Sequence, residues 1–229
     1  MPAGTLTSDQ STLLQHAMLR VTEIFYSLQG ETSRIGLPTV FVRLTGCPLR
    51  CGYCDTAYAF HGGESMTVGD VLANVAAHGV RHVTVTGGEP LAQKSALPLL
   101  AALADTGYSV SLETSGALDV SAVDARVSRI VDIKTPGSGE AEKNRWSNLT
   151  CLTAHDEIKF VVSSRADYDW AKTMMEKHRL AEKAKVILSP VIGRLAPALL
   201  AQWLMADALE ARLQLQLHTL LWPETKRGV

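Results

Sequence analysis

The chain lacks a charge excess: 22 Lys and Arg against 23 Asp and Glu leave a net charge of −1. No global basic field therefore points to nucleic acid. It also lacks an apolar run of the ~18 residues needed to span a bilayer. Its opening stretch, MPAGTLTSDQSTLLQHA, has no cationic start followed by an apolar segment and does not read as a signal peptide. Cysteine is scarce, with four in 229 residues, and three of the four sit in one loop. That is no disulfide framework and suits a reducing cytosol. These absences point to a cytoplasmic protein with no membrane or nucleic-acid partner. Residues 1–17 are polar and weakly patterned and are expected to form a loose extension. Residues 18–229 are expected to form a single domain, and the 46% apolar content suffices for a sizeable core.

Short β-branched and aliphatic runs recur at 21–28, 40–46, 82–86, 109–113, 129–134, 157–162, 185–190 and 212–217. Helical patterns lie between them. Val68, Val71, Leu72 and Val75 share one helical face. Thr67 and Asp70 before them have near-capping-box spacing, and Gly79 is placed to end that helix. An alanine- and leucine-rich helix is expected over 95–106. Ser164 with Asp167 opens another, to about Arg179, and 196–211 reads as a mostly apolar helix. Strand–helix alternation predicts a parallel sheet with helices outside. The unusual residues all fall at strand ends: the cysteine loop after 40–46, then TGGEP (86–90), ETSG (113–116), DIKTP (132–136) and SPVIG (189–193). Parallel βα units bring those ends to one rim, where active sites form.

In GCPLRCGYCDT, Cys47, Cys51 and Cys54 form a C-x3-C-x2-C run. Soft thiolates select iron–sulfur clusters, zinc or Cu(I). Electron-storing clusters and structural zinc sites usually close with four ligands. Three ligands on a four-iron cube leave one iron open to a substrate or cofactor. A zinc site completed by His61 or Asp55 is the competing reading, and the convergence of four further strand-end loops argues against it. In TGGEP, consecutive glycines let the backbone approach a ligand closely. Their carbonyls suit an ammonium group, and Glu89 adds charge. The alternative is a plain strand-to-helix turn. A side chain at Gly88 is expected to block such a ligand and to spare any cluster.

On these motifs the chain resembles the radical S-adenosylmethionine (SAM) superfamily. Its triad binds a [4Fe–4S] cluster whose open iron is chelated by SAM. The resemblance implies an α/β fold: an incomplete (β/α)6-type barrel over roughly 40–193, with an added N-terminal strand and a C-terminal strand. It implies SAM contacts from Tyr53, Cys54 and Asp55, from Gly87, Gly88 and Glu89, and from Ser115. Further contacts would come from Asp132, Ile133 and Lys134, and from Ser189, Pro190, Val191 and Ile192.

EIFYSLQGE (23–31), followed by FVRLTGCPLRCGYCDT (41–56), is similar to the 7-carboxy-7-deazaguanine synthases of queuosine (7-deazapurine) precursor biosynthesis. The match extends through TGGEP and ETSG, and the chain is short, as that family is. The resemblance implies a lyase converting 6-carboxy-5,6,7,8-tetrahydropterin to 7-carboxy-7-deazaguanine with loss of ammonia. A SAM-derived radical starts the reaction, so no single catalytic side chain is expected. Implied with it are Mg2+ on Thr56, a flavodoxin-like or ferredoxin-like reductant, and a homodimer. Leu28, Gln29, Gly30, Glu31, Arg43, Thr86 and His218 would surround the substrate. QLHTLLWP resembles the family's closing strand and tail. Some members bind substrate through a C-terminal carboxylate, and the polar TKRGV tail departs from that pattern.

The residue types suit this chemistry. Arg43 can clamp a carboxylate with two parallel bonds, Gln29 can both donate to and accept from a pterin edge, and Glu31 can accept from its amino group. Mg2+ prefers oxygen ligands and keeps waters, so one hydroxyl can suffice. Read alone, Arg43 is as readily a strand-pairing cation, Gln29–Gly30–Glu31 a turn, and Thr56 a helix cap. His218 falls in the alternating run LQLQLHTL and is expected in a strand. Lys159 points either into the barrel or to its rim. Asp119 and Asp124 read as turn and cap residues, and Cys151 as packing. Two other functions stay open: an activating enzyme that makes a glycyl radical on a protein partner, and a zinc-stabilised binding module. The QGE, Arg43 and CDT features favour a small heterocycle.

Overall fold

The computed structural model describes residues 16–225 and 227–229. Most of the expected N-terminal extension lies outside them. Its last residue, Ala17, is already part of the fold: its carbonyl accepts from Val68 N, and it packs on the core.

Nine strands form one sheet: β1 (Met18–Leu28), β2 (Pro38–Leu44), β3 (Glu64–Thr67), β4 (His82–Gly87), β5 (Ser109–Thr114), β6 (Ser128–Asp132), β7 (Glu157–Val162), β8 (Lys185–Pro190) and β9 (Arg212–Leu213). Their order is β3-β1-β2-β4-β5-β6-β7-β8-β9. β1 runs antiparallel to β2 and β3, and every pair from β2 to β9 is parallel. Among the described residues no strand joins β3 to β9, so the barrel is incomplete, as expected. Among the described residues the α-helices from Val68 onward are α1 (Val68–Ala76), α2 (Ala96–Asp105), α3 (Arg165–His178), α4 (Pro197–Ala206) and α5 (Leu217–Leu221).

Period-two alternation sorts the strand residues between two environments. Val40, Val42, Val83, Val85, Val110 and Leu112 face the first helices and join Leu99, Leu103, Val71 and Val75 in one core cluster. Ile158, Phe160, Val162, Val186 and Leu188 pack with Tyr168, Met175 and Leu200 in a second. Leu112 is fully buried, and cutting it to Ala would cost about 2–5 kcal/mol. The intervening residues Arg43, Thr86, Glu113, Asp132 and Lys159 point the other way, into the barrel. The sheet therefore has a greasy outer face under helices and a polar inner one.

The helix starts follow local chemistry. Thr67 Oγ1 accepts from Asp70 N (3.0 Å) while Asp70 Oδ2 accepts from Thr67 N (3.0 Å), a complete capping box. Ser164 Oγ accepts from Asp167 N (3.2 Å) at the head of α3. Asp119 and Asp124 accept from the backbone two residues on, as turn residues do.

Four expectations need correction. β3 (ESMT) was not anticipated; it is short, largely exposed and pairs only with β1. The strands expected to reach 46 and 134 stop at Leu44 and Asp132. The helix expected over 196–211 ends at Ala206, and Ala208 turns left-handed at φ 45°. The strand expected over 212–217 keeps two residues. Beyond it Gln214 Nε2 and Leu217 N both donate to Gly30 O, and α5 begins, so His218 is helical.

Candidate active site

A cavity of about 640 Å³ opens inside the barrel at the C-terminal ends of the parallel strands. Cys47, Cys51 and Cys54 all line it. Their loop is tied down on several sides. Gly46 N donates to Ala59 O (2.8 Å) and Gly52 N to Ser138 O (2.9 Å). Arg194 Nη2 donates to Gly52 O (2.7 Å), and Arg50 lies 4.3 Å over the Phe60 ring while donating to Cys47 O. Burial pushes all three thiols up, Cys51 to about 11, with Lys134 opposing. Such thiols become thiolates when a metal centre takes the proton's place. Three thiols on one cavity suit a cluster with an open iron. His61, one of the two zinc completions, is exposed and does not line the cavity. Cys151 packs against the first core cluster.

The GGE turn is locked to this loop. Gly88 N donates to Leu44 O (3.2 Å) and Glu89 N to Gly46 O (2.9 Å). Gly87 sits at φ 149°, a conformation side chains rarely adopt. A Cβ on Gly88 would strike the Gly46 carbonyl and come within 2.6 Å of Cys47 Cβ. A side chain there would therefore press on the cysteine loop as well as on a ligand, against the expectation that it acts on the ligand alone.

Glu89 also differs from expectation. It is fully buried and is not among the lining residues. Its carboxylate accepts from Ser115 N (2.7 Å), Ser115 Oγ (2.5 Å), Thr114 Oγ1 (2.9 Å) and Leu91 N (3.0 Å). Its charge holds the ETSG turn, and Ser115 is what reaches the cavity. Asp132 and Lys134 line the cavity as an ion pair, with Lys134 Nζ 2.8 Å from Asp132 Oδ2. Asp132 Oδ1 is buried with no hydrogen-bond partner among the described residues, an acceptor available to a ligand. Val191 and Ile192 line the cavity too. Ile133 turns instead into the second core cluster, and Ser189 and Pro190 are buried within β8 away from the lining. Tyr53 and Asp55 do line it, and Tyr53 OH donates to Val161 O (3.3 Å).

Leu28, Gln29, Gly30, Glu31, Arg43, Thr86 and His218 converge on the other side of the cavity. Gln29 is occupied by the protein. Its Oε1 accepts from Gly30 N (2.7 Å) and Glu31 N (3.0 Å), and its Nε2 donates to Thr84 Oγ1 (3.1 Å) and Glu113 Oε1 (3.2 Å). It shapes the loop instead of offering a free amide. Arg43 Nε lies 2.7 Å from Glu23 Oε1, which also accepts from Tyr58 OH (2.7 Å). Thr86 Oγ1 donates to Glu113 Oε2 (3.3 Å). Thr56 Oγ1 donates to Asp55 Oδ1 (2.8 Å) and makes no helix-cap bond, so the cap reading fails. Glu31, Asp55 and His218 place one ligand atom each within 4.8 Å of one another.

Three polar side chains of the cavity have no settled role in the sequence reading: the titratable Glu113 and Lys159, and the amide of Gln216. Lys159 points inward, and its ammonium pairs with Glu31. Burial alone would raise the Glu31 carboxyl, but Lys159, with Gln216 and His218, outweighs it and brings it down to about 2. Glu113 is raised, by burial first and then by the charge of Glu31. Alternation from the buried Leu112 would have turned Glu113 inward. Nothing local marks Gln216, whose Nε2 bridges Glu31 Oε1 (2.9 Å) and Asp55 Oδ2 (3.0 Å).

Residues 41–183 match the model of the radical SAM superfamily. A 7-carboxy-7-deazaguanine synthase of Chlorobaculum tepidum is 47% identical over 216 residues, covering 93% of this chain and 98% of that protein. One from Koribacter versatilis is 45% identical, covering 91% and 99%. The crystal structure of QueE from Escherichia coli superposes with a TM-score of 0.75 at 26% identity, covering 92% of this chain and 99% of that one. With the cysteine triad, the glycine turn and the pocket on one rim, the chain belongs to the radical SAM superfamily and, within it, to the 7-carboxy-7-deazaguanine synthases.

Proposed function

We infer that the protein is a carbon–nitrogen lyase that converts 6-carboxy-5,6,7,8-tetrahydropterin to 7-carboxy-7-deazaguanine with loss of ammonia, as a step of queuosine precursor biosynthesis. The observation that carries this reading is one cavity that joins the cysteine triad to an arginine and to acidic residues in opposed environments. That is the complement of a flat heterocycle bearing a carboxylate.

Cys47, Cys51 and Cys54 hold the [4Fe–4S] cluster. Gly87, Gly88, Ser115, Asp132, Lys134, Val191 and Ile192, with Tyr53 and Asp55, surround SAM. When bound, the cluster and SAM would supply the radical chemistry of the superfamily, held by these residues. The chain's own residues bind, orient and exclude water. Arg43 takes the substrate carboxylate, and Glu31 and Glu113 take its N–H and carbonyl edge, one as an ionised acceptor and the other as a carboxyl whose neutral form can donate. Leu28, Gly30, Thr86 and His218 complete the walls. Thr56 offers its hydroxyl to Mg2+, with Asp55 beside it. Ile133, Ser189 and Pro190 support the SAM side from behind. The reductant is flavodoxin-like or ferredoxin-like, and the working form is a cytoplasmic homodimer. Among the described residues no helix is long and apolar enough to cross a membrane.

The test is anaerobic turnover of 6-carboxytetrahydropterin with SAM, reductant and Mg2+. Formation of 7-carboxy-7-deazaguanine without net consumption of SAM is expected. SAM cleavage with no deazaguanine product would overturn the reading and favour an activating enzyme acting on a protein glycine.

A further inference from the structure

Lys159 has no part in the scheme above. It stands on β7, 8% exposed, and projects into the cavity. A buried ammonium survives only with a partner, and its partner is Glu31, 128 residues earlier. Glu31 lies on the loop that joins β1 to β2. Two residues before Lys159, on the same face of β7, Glu157 accepts from Ser33 N with both oxygens (3.1 and 3.0 Å). One strand face thus grips the loop at two points, one of them the carboxylate itself. The remaining Glu31 oxygen accepts from Gln216 Nε2 (2.9 Å).

The electrostatics require this grip. Glu113 from β5 and Asp55 from the cysteine loop both stand close to the Glu31 carboxylate, and the charge of Glu31 is already felt in the raised Glu113 carboxyl. Arg43, the other cation of this side, is already tied to Glu23. Without Lys159, the largest of the influences that keep Glu31 ionised, only Gln216 and His218 would remain to offset its burial, and the carboxylate would swing away or take up a proton.

We propose that Lys159 is a positioning residue: through its ammonium it fixes the Glu31 carboxylate in place to receive the N–H edge of the bound heterocycle. Lys159 touches no substrate and acts through Glu31. The proposal rests on the reading of Glu31 as a substrate contact.

A double-mutant cycle on the reconstituted holoenzyme tests it. Lys159→Met keeps the aliphatic stem and removes the charge. It should raise the KM for 6-carboxytetrahydropterin about ten-fold or more, with kcat less affected and with iron content and SAM binding as in wild type. Lys159→Arg should recover part of the loss. Glu31→Gln should raise KM to a similar degree, and adding Lys159→Met to it should change KM by less than about two-fold. A wild-type KM in Lys159→Met overturns the proposal, as do losses that multiply in the double variant. If Glu31→Gln itself keeps the wild-type KM, the substrate reading of Glu31 has failed, which is a different result. Should Lys159→Met fail to fold, the double variant, which removes both buried charges together, still gives the comparison with Glu31→Gln.

Discussion

Glu23 and Arg43 face each other across the β1–β2 pair, and Arg43 meets the carboxylate through Nε at 2.7 Å. Both terminal guanidinium nitrogens are left without a hydrogen-bond partner among the described residues. A guanidinium held this way presents its fork already aimed. Arg43→Ala should weaken substrate binding by about 1.5–3 kcal/mol, the scale of a charged hydrogen bond. Arg43→Lys should regain only part of it, because the fork is lost. KM values for the three proteins check this, and unchanged affinity in both variants would place the clamp elsewhere.

Anaerobic protein should be brown and hold about four irons per chain. Cys47→Ala, Cys51→Ala and Cys54→Ala should each abolish colour and turnover. Cys151→Ala should do neither, because that thiol packs against the core. Iron and sulfide analysis reads the outcome. A colourless wild type with stoichiometric zinc would contradict the assignment.

Gly88→Val should lower iron content together with SAM binding, since its side chain would collide with Gly46 O and Cys47 Cβ. Iron analysis after reconstitution is the direct readout. Full iron content in the variant would show that the cysteine loop can yield.

Mg2+ should raise turnover. Thr56→Ser keeps the hydroxyl and should keep most of the response, whereas Thr56→Ala should blunt it. Asp55 already accepts from this hydroxyl, so a cation would bind beside a preformed oxygen pair. Curves of rate against Mg2+ concentration that run parallel for wild type and Thr56→Ala would rule out direct ligation.

Glu113 gives a pH signature. Its carboxyl is raised above the ordinary 4.5 by burial and by Glu31. A group raised on folding contributes stability that is fully present below its unfolded value and is lost as pH rises through its folded value. Glu113→Gln removes that titration. The stability of the variant relative to wild type should therefore grow as pH rises above the ordinary carboxyl value of 4.5, measured by denaturant unfolding. A difference that stays constant with pH would mean that Glu113 titrates at its ordinary value in the fold.

The sheet was legible because its strands are β-branched and its helices carry caps written in local sequence, as Thr67–Asp70 and Ser164–Asp167 are. The rim was legible because the cysteine loop, TGGEP and ETSG each follow a strand. What escaped depends on distant partners. β3 has no apolar pattern and exists by pairing with β1. The run LQLQLHTL has strand periodicity, but Gly30 draws Gln214 and Leu217 into another path. Gln29 and Glu89 have the chemistry of ligand contacts, yet their polar atoms are taken up by turn backbones and by side chains of other strands. The side Lys159 would choose was undecidable until Glu31, far away in sequence, was beside it.

Gly30 accepts from Gln214, 184 residues later, and Glu31 from Gln216, 185 residues later. The cysteines, by contrast, are neighbours in sequence. Closing such a long loop carries an entropy cost that short-range pairs avoid, and contacts of this separation form late. During synthesis the thiol loop and the parallel strands can be in place while the heterocycle side of the pocket still has no far wall. The two sides of the pocket thus draw on different lengths of chain: the thiol loop is braced by Ser138 and Arg194, whereas the heterocycle side has its far wall only once Gln214 and Gln216 are in place.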